Sequence, residues 1–424
     1  FFLKFWKRRC ASLSSKWGTY DVQRLEKLRP EFEGKLKKSV VTGRLEKTYN
    51  PWRRIPKYFV SIVLSLMLIS VAFMFMCCSL NMQGYIHSKH SFMYIRVLDG
   101  LAEKDGMFDA NSYVMWLVPT LMHSFVVMFL NGIYQRLARR LCEWENYRTV
   151  EEFERHLIIK RFSFEFLDAF LPLFYIGFYQ LDVVRLRLEL MALYTSDEIR
   201  RIAVETLIPY AMHKYSQYQE NRKTKKNLTR SDRYIAESKL DEYEQFDDYL
   251  EMVLQFGYVT LFASAFPLAS FWSIISNLIE IRNDAYRLTF LSRRPNPVQT
   301  RDIGVWTQVL HLMATISIMT NCVLFAFASD QMASYFPALF DEHDHDHAAH
   351  SLGEVHVDLV EGKGRYVILI VFGIEHILFM LTKVVEYLIS DVPKSVKNAL
   401  RRKQFLLEQQ ASQKNLLDEK LNEK

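Results

Sequence analysis

The sequence predicts an all-α protein, a polytopic membrane helix bundle. Hydrophobic residues make up 50% of the 424 residues and gather in six runs, each near the length needed to cross a bilayer. Charged residues lie between these runs, and segments rich in Lys and Arg alternate with segments almost free of them. This alternation accounts for the net charge of +6 as an asymmetry between loops, so we expect no nucleic-acid partner.

The first residues, FFLKFWKRR, are typical of the end of an apolar span that meets a basic cytosolic flank. We therefore expect a fragment that lacks its true N-terminus, with the end of a membrane helix and a basic cytosolic segment in residues 1–57. Residues 58–390 form the predicted transmembrane domain, and residues 391–424 form a charged, helical cytosolic tail. The six apolar runs lie at 57–82, 112–134, 157–179, 249–277, 305–328 and 366–389.

A further stretch, residues 182–212, has helical periodicity but is charged, and the residues 213–245 that follow it form a predicted hydrophilic linker. Each charge in the stretch would cost several kcal/mol if it faced lipid at mid-membrane. The stretch is therefore either an amphipathic surface helix or a span whose polar face lines a wet cavity. The basic segments 135–156 and 213–245 fall on one side of the membrane only if it crosses, which favours a span.

Four carboxylates flank an apolar run that Pro267 breaks near its middle. Asp248 and Glu251 are spaced i,i+3 before the break, and Glu280 and Asp284 are spaced i,i+4 after it, so each pair shares one helix face. A helical hairpin that turns at Pro267 would bring both pairs to nearly the same depth. Because four acids at one depth repel one another without a cation, and hard oxygen ligands suit Ca²⁺, the pattern predicts a calcium site.

Other interpretations stay open. The four carboxylates could instead form a structural ion-pair network with Arg282 and Arg287. One loop is crowded with histidines, which either bind zinc or copper or are simply solvated; they are His343, His345, His347 and His350. The five cysteines show neither metal spacing nor a disulfide framework. No nucleophile elbow, glycine-rich phosphate loop or zinc motif is present, so we do not expect an enzyme.

Several segments resemble the anoctamins, a family of calcium-activated lipid scramblases and chloride channels. The resemblance is carried, in the family's order and over nearly the whole chain, by segments that include LNGIYQRLARRLCEWENYRT, YLEMVLQFGYVTLFASAFPLA, NLIEIRNDAYRL and FGIEHILFMLTKVVEYLISDVPK. It implies a bundle of the anoctamin type, with about eight of its ten membrane helices in this chain. It also implies a homodimer in which the fourth to seventh helices of each subunit line a hydrophilic, membrane-exposed groove.

The resemblance also implies residue roles. It assigns Asp248 and Glu251 to the seventh helix of the family, Glu280 and Asp284 to the eighth, and Glu205 to the sixth. In the family these five acids bind two calcium ions, and the sixth helix moves to close on them. The charged stretch at 182–212 would then be the sixth helix.

Two departures from the family pattern change these expectations. Many members carry Asn where this chain has Arg201, which is spaced i,i+4 from Glu205 and is close enough to form an ion pair. We therefore expect lower calcium affinity or partial calcium independence, with Arg201 and Arg200 as groove or regulatory residues.

The second departure concerns a further calcium site that some members have between the second and tenth helices. Glu386 and Asp391 fit the acids of the tenth helix, but Lys4 stands where a glutamate of the second helix is expected. We expect this second calcium site to be lost or weak.

The acidic hairpin and the resemblance together predict a calcium-regulated phospholipid scramblase, which moves lipids between leaflets through the groove. The alternative is a calcium-activated chloride channel, because the family supports both activities on one scaffold. A membrane tether without transport is a third, less favoured hypothesis. The expected cofactor is Ca²⁺, and the expected partners are phospholipids, chloride or other small ions, and a second copy of the chain. The membrane would be the endoplasmic reticulum or the plasma membrane.

Overall fold

The computed structural model describes residues 1–21, 28–38, 43, 45–84, 86, 93–101, 107, 117–223, 230–238, 240–328, 331–341, 358–360 and 362–422. Within these ranges the chain is mostly α-helical, which confirms the predicted fold class. It forms two compact units, which we call the 25–179 unit (Leu25–Tyr179) and the 180–424 unit (Phe1–Arg24 with Gln180–Lys424).

The described helices are, in chain order, α1 (Phe2–Lys16), α2 (Ile55–Met82), α3 (Arg96–Asp99), α4 (Leu117–Glu145), α5 (Val150–Phe174), α6 (Val183–Arg201), α7 (Ile208–Lys223), α8 (Arg230–Ser238), α9 (Gln245–Leu261), α10 (Ala269–Tyr286), α11 (Val305–Val323), α12 (Gln331–Tyr335), α13 (Gly364–Leu388) and α14 (Lys394–Asn422). Short π-helical segments follow α5, α6, α10 and α11, at Tyr175–Gln180, Ile202–Leu207, Arg287–Leu291 and Leu324–Ala328. Three two-stranded sheets are described: β1 (Lys35–Lys38) with β2 (Leu45–Thr48), β3 (Asp241–Glu242) with β4 (Ser292–Arg293), and β5 (Phe340–Asp341) with β6 (Asp358–Leu359).

In the 25–179 unit, α2, α4 and α5 pack against one another around a small apolar core. Leu130, Tyr134 and Ala138 recur every fourth residue, so they form one buried face of α4. The ring of Tyr134 stacks on Phe164 of α5, with 4.5 Å between ring centroids. The core therefore joins the middle of α4 to the middle of α5.

The turn between α4 and α5 lies inside the charged segment 135–156. The predicted spans at 112–134 and 157–179 left a charged cytosolic segment between them, but α4 continues to Glu145 and α5 begins at Val150. Arg, Leu, Ala and Glu are strong helix formers, so the helix continues where the apolar run ends. Asn146, with φ 59°, adopts the left-handed conformation at the turn. Thr149 then caps α5 by accepting a hydrogen bond from the backbone N–H of Glu152 at 3.2 Å.

In the 180–424 unit, α6, the π-helical segment Ile202–Leu207 and α7 follow one another without a break. This confirms helical structure for residues 182–212. The predicted hydrophilic linker at 213–245 contains helices, because α7 extends to Lys223, and α8 and the start of α9 also fall within it. Its Lys, Gln and Glu residues are compatible with a solvated helix, which hydropathy alone does not reveal.

The apolar run at 249–277 lies in two helices, α9 and α10, separated by residues 262–268 around Pro267. Helix α11 supports the end of α9: Asn321 donates to the carbonyl of Thr260 at 2.6 Å and accepts from the N–H of Ser264 at 2.9 Å. Thr320 donates to the carbonyl of Leu261 at 2.8 Å. The bonds to Thr260 and Leu261 satisfy carbonyl groups that the helix end leaves open.

Three of the helices in the described part of the chain are long and apolar enough to cross a membrane. They are α2 with its preceding turn (Pro51–Met82), α11 with most of the π-helical segment after it (Val305–Phe327), and α13 (Gly364–Leu388). They coincide with the predicted runs at 57–82, 305–328 and 366–389.

Candidate metal centre

The short sheet of β3 and β4 sets the geometry of the acidic hairpin. Its strands pair in parallel, with Asp241 opposite Ser292 and Glu242 opposite Arg293, and the last two also form an ion pair. Strand β3 comes just before α9, and β4 follows the π-helical segment Arg287–Leu291 at the end of α10. The start of α9 and the end of α10 therefore lie side by side, as the hairpin prediction requires.

Arg287 connects one acid from each arm of this hairpin. Its Nη2 atom donates to Oδ1 of Asp248 on α9 and lies 3.4 Å from Oδ1 of Asp284 on α10. Tyr243, just before α9, donates a hydrogen bond from its hydroxyl to the second carboxylate oxygen of Asp248. The structure thus brings Asp248 and Asp284 together around a cation that the chain itself supplies.

These polar groups are only partly exposed to solvent. The side chain of Asp248 is 18% exposed, that of Arg287 is 21% exposed, and that of Asp284 is 36% exposed. Burial, and then the hydrogen bond to Asp248, raise the pKa of the Tyr243 phenol. Tyr243 therefore stays protonated at neutral pH and acts as a donor toward the carboxylate.

The other two predicted acids lie nearby on the same helices. Glu280 is buried at 6% exposure, on the same inward stripe of α10 as Ser273 and Ser276, and Glu251 on α9 is half-buried. Within the described ranges, however, no three Asp, Glu, His or Cys side chains are close enough to share one metal ion. Of the four hairpin acids, the structure thus gathers Asp248 and Asp284 around one cation, while the metal assignment stays a prediction.

The remaining predicted ligand and regulatory residues lie at the end of α6 and just beyond it. Arg200 and Arg201 are the last residues of α6, and Glu205 lies in the π-helical segment Ile202–Leu207. Their side chains, and the whole loop that holds His343, His345, His347 and His350, lie outside the described part of the structure. Irregular π turns inside helices are frequent at functional sites.

At the predicted second calcium site, lysines already hold both acids. Lys4 and Lys7 of α1 lie 2.6 and 2.7 Å from the two carboxylate oxygens of Asp391. Lys383 lies 3.0 Å from Glu386. The hydrogen bonds from Lys4 and Lys7 lower the pKa of Asp391, so that carboxylate stays ionised and paired at neutral pH. The arrangement supports the expectation of a weak second site.

A buried ionic network in the 25–179 unit did not stand out in the sequence. Glu145, at the end of α4, is 0% exposed, and its carboxylate oxygens lie 2.9 and 2.7 Å from Nζ of Lys160 on α5. The hydroxyl of Tyr147 donates to the same carboxylate at 2.6 Å, and its ring stacks on His156 with centroids 4.3 Å apart. Burial and this hydrogen bond raise the pKa of Tyr147. Glu145 lies in the charged segment beyond the apolar run at 112–134, where hydropathy gives no signal of burial.

Comparison with known proteins gives the family. A family model described as "Anoctamin: Calcium-activated chloride channel" matches residues 1–403. Anoctamin-10 of Mus musculus is 31% identical over 411 residues, which cover 95% of this chain and 56% of that protein. Anoctamin-10 of Homo sapiens is 31% identical over 410 residues with the same coverage. Anoctamin-5 of Homo sapiens is 28% identical over 360 residues, which cover 78% of this chain and 39% of that protein.

The helical architecture, its long apolar helices and these matches together define an integral membrane protein. The chain belongs to the anoctamin family, which confirms the resemblance drawn from its motifs. It spans 56% of the length of Anoctamin-10.

Proposed function

We propose that this chain carries the transport machinery of a calcium-regulated phospholipid scramblase. The observation that carries the proposal is the hairpin of α9 and α10, which places acids from both arms at one level and joins two of them through a single cation. Hard carboxylate oxygens on two adjacent helices are the ligands that Ca²⁺ prefers. The acids that would hold calcium are Glu205, Asp248, Glu251, Glu280 and Asp284.

Contacts between α6 and the hairpin support a role for Glu205. Nε of Arg187 donates to the carbonyl of Ala265 at the hairpin turn, at 3.1 Å. Farther along α6, the hydroxyl of Tyr194 lies 3.3 Å from Oγ of Ser273 on α10 and 3.5 Å from the carbonyl of Gln255 on α9. Helix α6 therefore runs beside the hairpin from its turn toward its acid-bearing end.

Distances along the helices give the level that Glu205 reaches. Glu205 lies 18 residues after Arg187, and Asp248 lies 17 residues before Ala265. At about 1.5 Å of rise per residue, both intervals span roughly 25 Å. The backbone at Glu205 therefore reaches the level of Asp248, where a ligand from α6 could complete the metal site.

Bound calcium would supply positive charge that offsets the repulsion among these acids. The chain's own part is to hold Asp248 and Asp284 in place through Tyr243 and Arg287, and to connect α6 to the hairpin through Tyr194. A shift of α6 against the hairpin would then connect calcium binding at the metal site to the groove. The family places this groove along α6. A homodimer in the endoplasmic reticulum or plasma membrane, and the assignment of residues 58–390 as the membrane domain, belong to the same proposal.

A calcium-activated anion channel is the second candidate. It is favoured by the description of the matching family, which names a calcium-activated chloride channel. The arginines of α6 do not separate the two functions, because guanidinium groups bind chloride and lipid phosphates alike. Of these, Arg185 pairs with Asp182 at 3.0 Å and Arg187 is held at the hairpin turn, so both are positioned by the protein itself.

The proposal is tested by reconstituting the full-length protein in vesicles that contain a fluorescently labelled lipid. An impermeant reductant bleaches label in the outer leaflet only, so we expect calcium to increase the bleached fraction beyond about one half. Chloride efflux is measured on the same vesicles. Chloride efflux without lipid transfer would decide for the channel, and the absence of both activities, with and without calcium, would reject transport altogether.

The second acid site gives a contrasting prediction. Because Lys4, Lys7 and Lys383 already neutralise its carboxylates, the double change Glu386→Gln and Asp391→Asn is expected to move the half-maximal calcium concentration by less than about twofold. Calcium titrations of lipid transfer in wild type and the double variant measure this. A shift of tenfold or more would mean that calcium displaces the lysines and uses these acids.

A further inference from the structure

We propose that Arg287 is a resident counter-ion of the calcium site, which holds Asp248 and Asp284 until calcium displaces it and thereby sets the calcium affinity. This inference rests on the proposed function, because it concerns regulation of the same acids. Its basis is that one guanidinium nitrogen contacts both carboxylates, one from each arm of the hairpin.

The position of Arg287 differs from that of an ordinary surface ion pair. Its side chain is about one-fifth exposed, and its guanidinium bridges two helices and lies 5.7 Å from the ring centroid of Tyr243. Tyr243 holds the far oxygen of Asp248, so that carboxylate is fixed on both sides. The acids are thus preorganised around a positive charge rather than around empty space.

A calcium ion and this guanidinium cannot both occupy the space between Asp248 and Asp284. Calcium needs carboxylate oxygens at about 2.3–2.6 Å, and the Nη2 atom already lies within hydrogen-bond distance of both Oδ1 atoms. Binding of calcium must therefore move the Arg287 side chain away from at least one acid. Even after it moves, its charge stays near the ion and opposes binding.

Arg287 is the first residue of the π-helical segment that leads from α10 to β4. Displacement of its side chain would act on this irregular segment and on the β3–β4 pairing beside it. Arg287 is therefore the contact through which calcium would release the end of α10.

The test measures calcium binding directly, by isothermal titration calorimetry on the purified full-length protein. Arg287→Gln removes the charge, and we expect its Kd for calcium to fall about tenfold. Arg287→Lys keeps the charge and is expected to stay within about threefold of wild type. The matched control is Arg282→Gln, which removes an exposed arginine of the same helix and is expected to leave Kd unchanged.

The outcomes separate this inference from the proposed function. The inference would be overturned by an unchanged Kd in Arg287→Gln, or by a fall in Kd of the same size in Arg282→Gln. The proposed function would still stand in either case, provided that wild type binds calcium. If wild type binds no calcium, or if Glu280→Gln binds it as wild type does, the proposed metal site itself fails. Without calcium, the melting temperature of Arg287→Gln should lie below that of wild type, and added calcium should close this difference. A purely structural defect would leave the difference from wild type unchanged when calcium is added.

Discussion

Replacing Glu145 by alanine is expected to destabilise the 25–179 unit by about 3–5 kcal/mol, the range found when one partner of a buried ion pair is removed. Glu145 is fully buried, and the change would leave the ammonium of Lys160, with 16% of its side chain exposed, without this carboxylate. It would also remove the acceptor of the Tyr147 hydroxyl. Unfolding of the purified protein in detergent, followed by helical circular dichroism, measures the loss.

Two further variants show whether the cost comes from the unpaired charge. Lys383→Ala breaks an ion pair that is 76% exposed on the lysine side, and exposed pairs contribute only about 0–1 kcal/mol. The double variant Glu145→Leu with Lys160→Met removes both buried charges and is expected to recover much of the stability lost in Glu145→Ala. If Glu145→Ala unfolds like Lys383→Ala, burial of the network has no energetic consequence and our account is wrong.

The long apolar helices could be predicted from the sequence because burial in lipid imposes a continuous apolar run. The prediction for residues 366–389 and the observed α13, Gly364–Leu388, differ by two residues or fewer at each end. The same criterion does not predict where α4 and α5 end, because it detects contact with lipid and not the end of a helix. Asn146 and Thr149 mark the real turn, and their side chains carry a signal of their own that hydropathy does not weigh.

The candidate site was predictable to the extent that it depends on helical spacing. The break at Pro267 and the i,i+3 and i,i+4 pairs were enough to predict that the two arms return to one level, and Arg287 was among the possible ion-pair partners. Tyr243 was not predictable, because its approach to Asp248 depends on where the chain enters α9 beside β4. Local spacing predicts which acids share a face, but it does not predict which cation lies between them.

Neutralising Glu280 is the change expected to have the largest effect on function. Glu280→Gln keeps the shape of a side chain that is only 6% exposed, but removes one of the negative charges proposed to attract calcium. Calcium affinity depends strongly on the number of charged ligands, so the half-maximal calcium concentration should rise at least about tenfold, or the response should disappear. Lipid transfer and chloride efflux, measured across a calcium titration on the same vesicles, report the shift for both candidate functions.

The matched control is Asp247→Asn, which removes an exposed carboxylate next to Asp248 on the same helix. It should leave the calcium response within about twofold of wild type, because the charge lies on the solvent side of α9. If Glu280→Gln responds to calcium as this control does, the acids of the hairpin do not regulate transport. A tether without transport, working through its cytosolic segments, would instead show neither lipid transfer nor chloride efflux, and its function would survive neutralisation of Glu251 and Glu280 together. A large shift in Glu280→Gln alone would connect the buried stripe of α10 to calcium, because no change in side-chain volume accompanies the loss of charge.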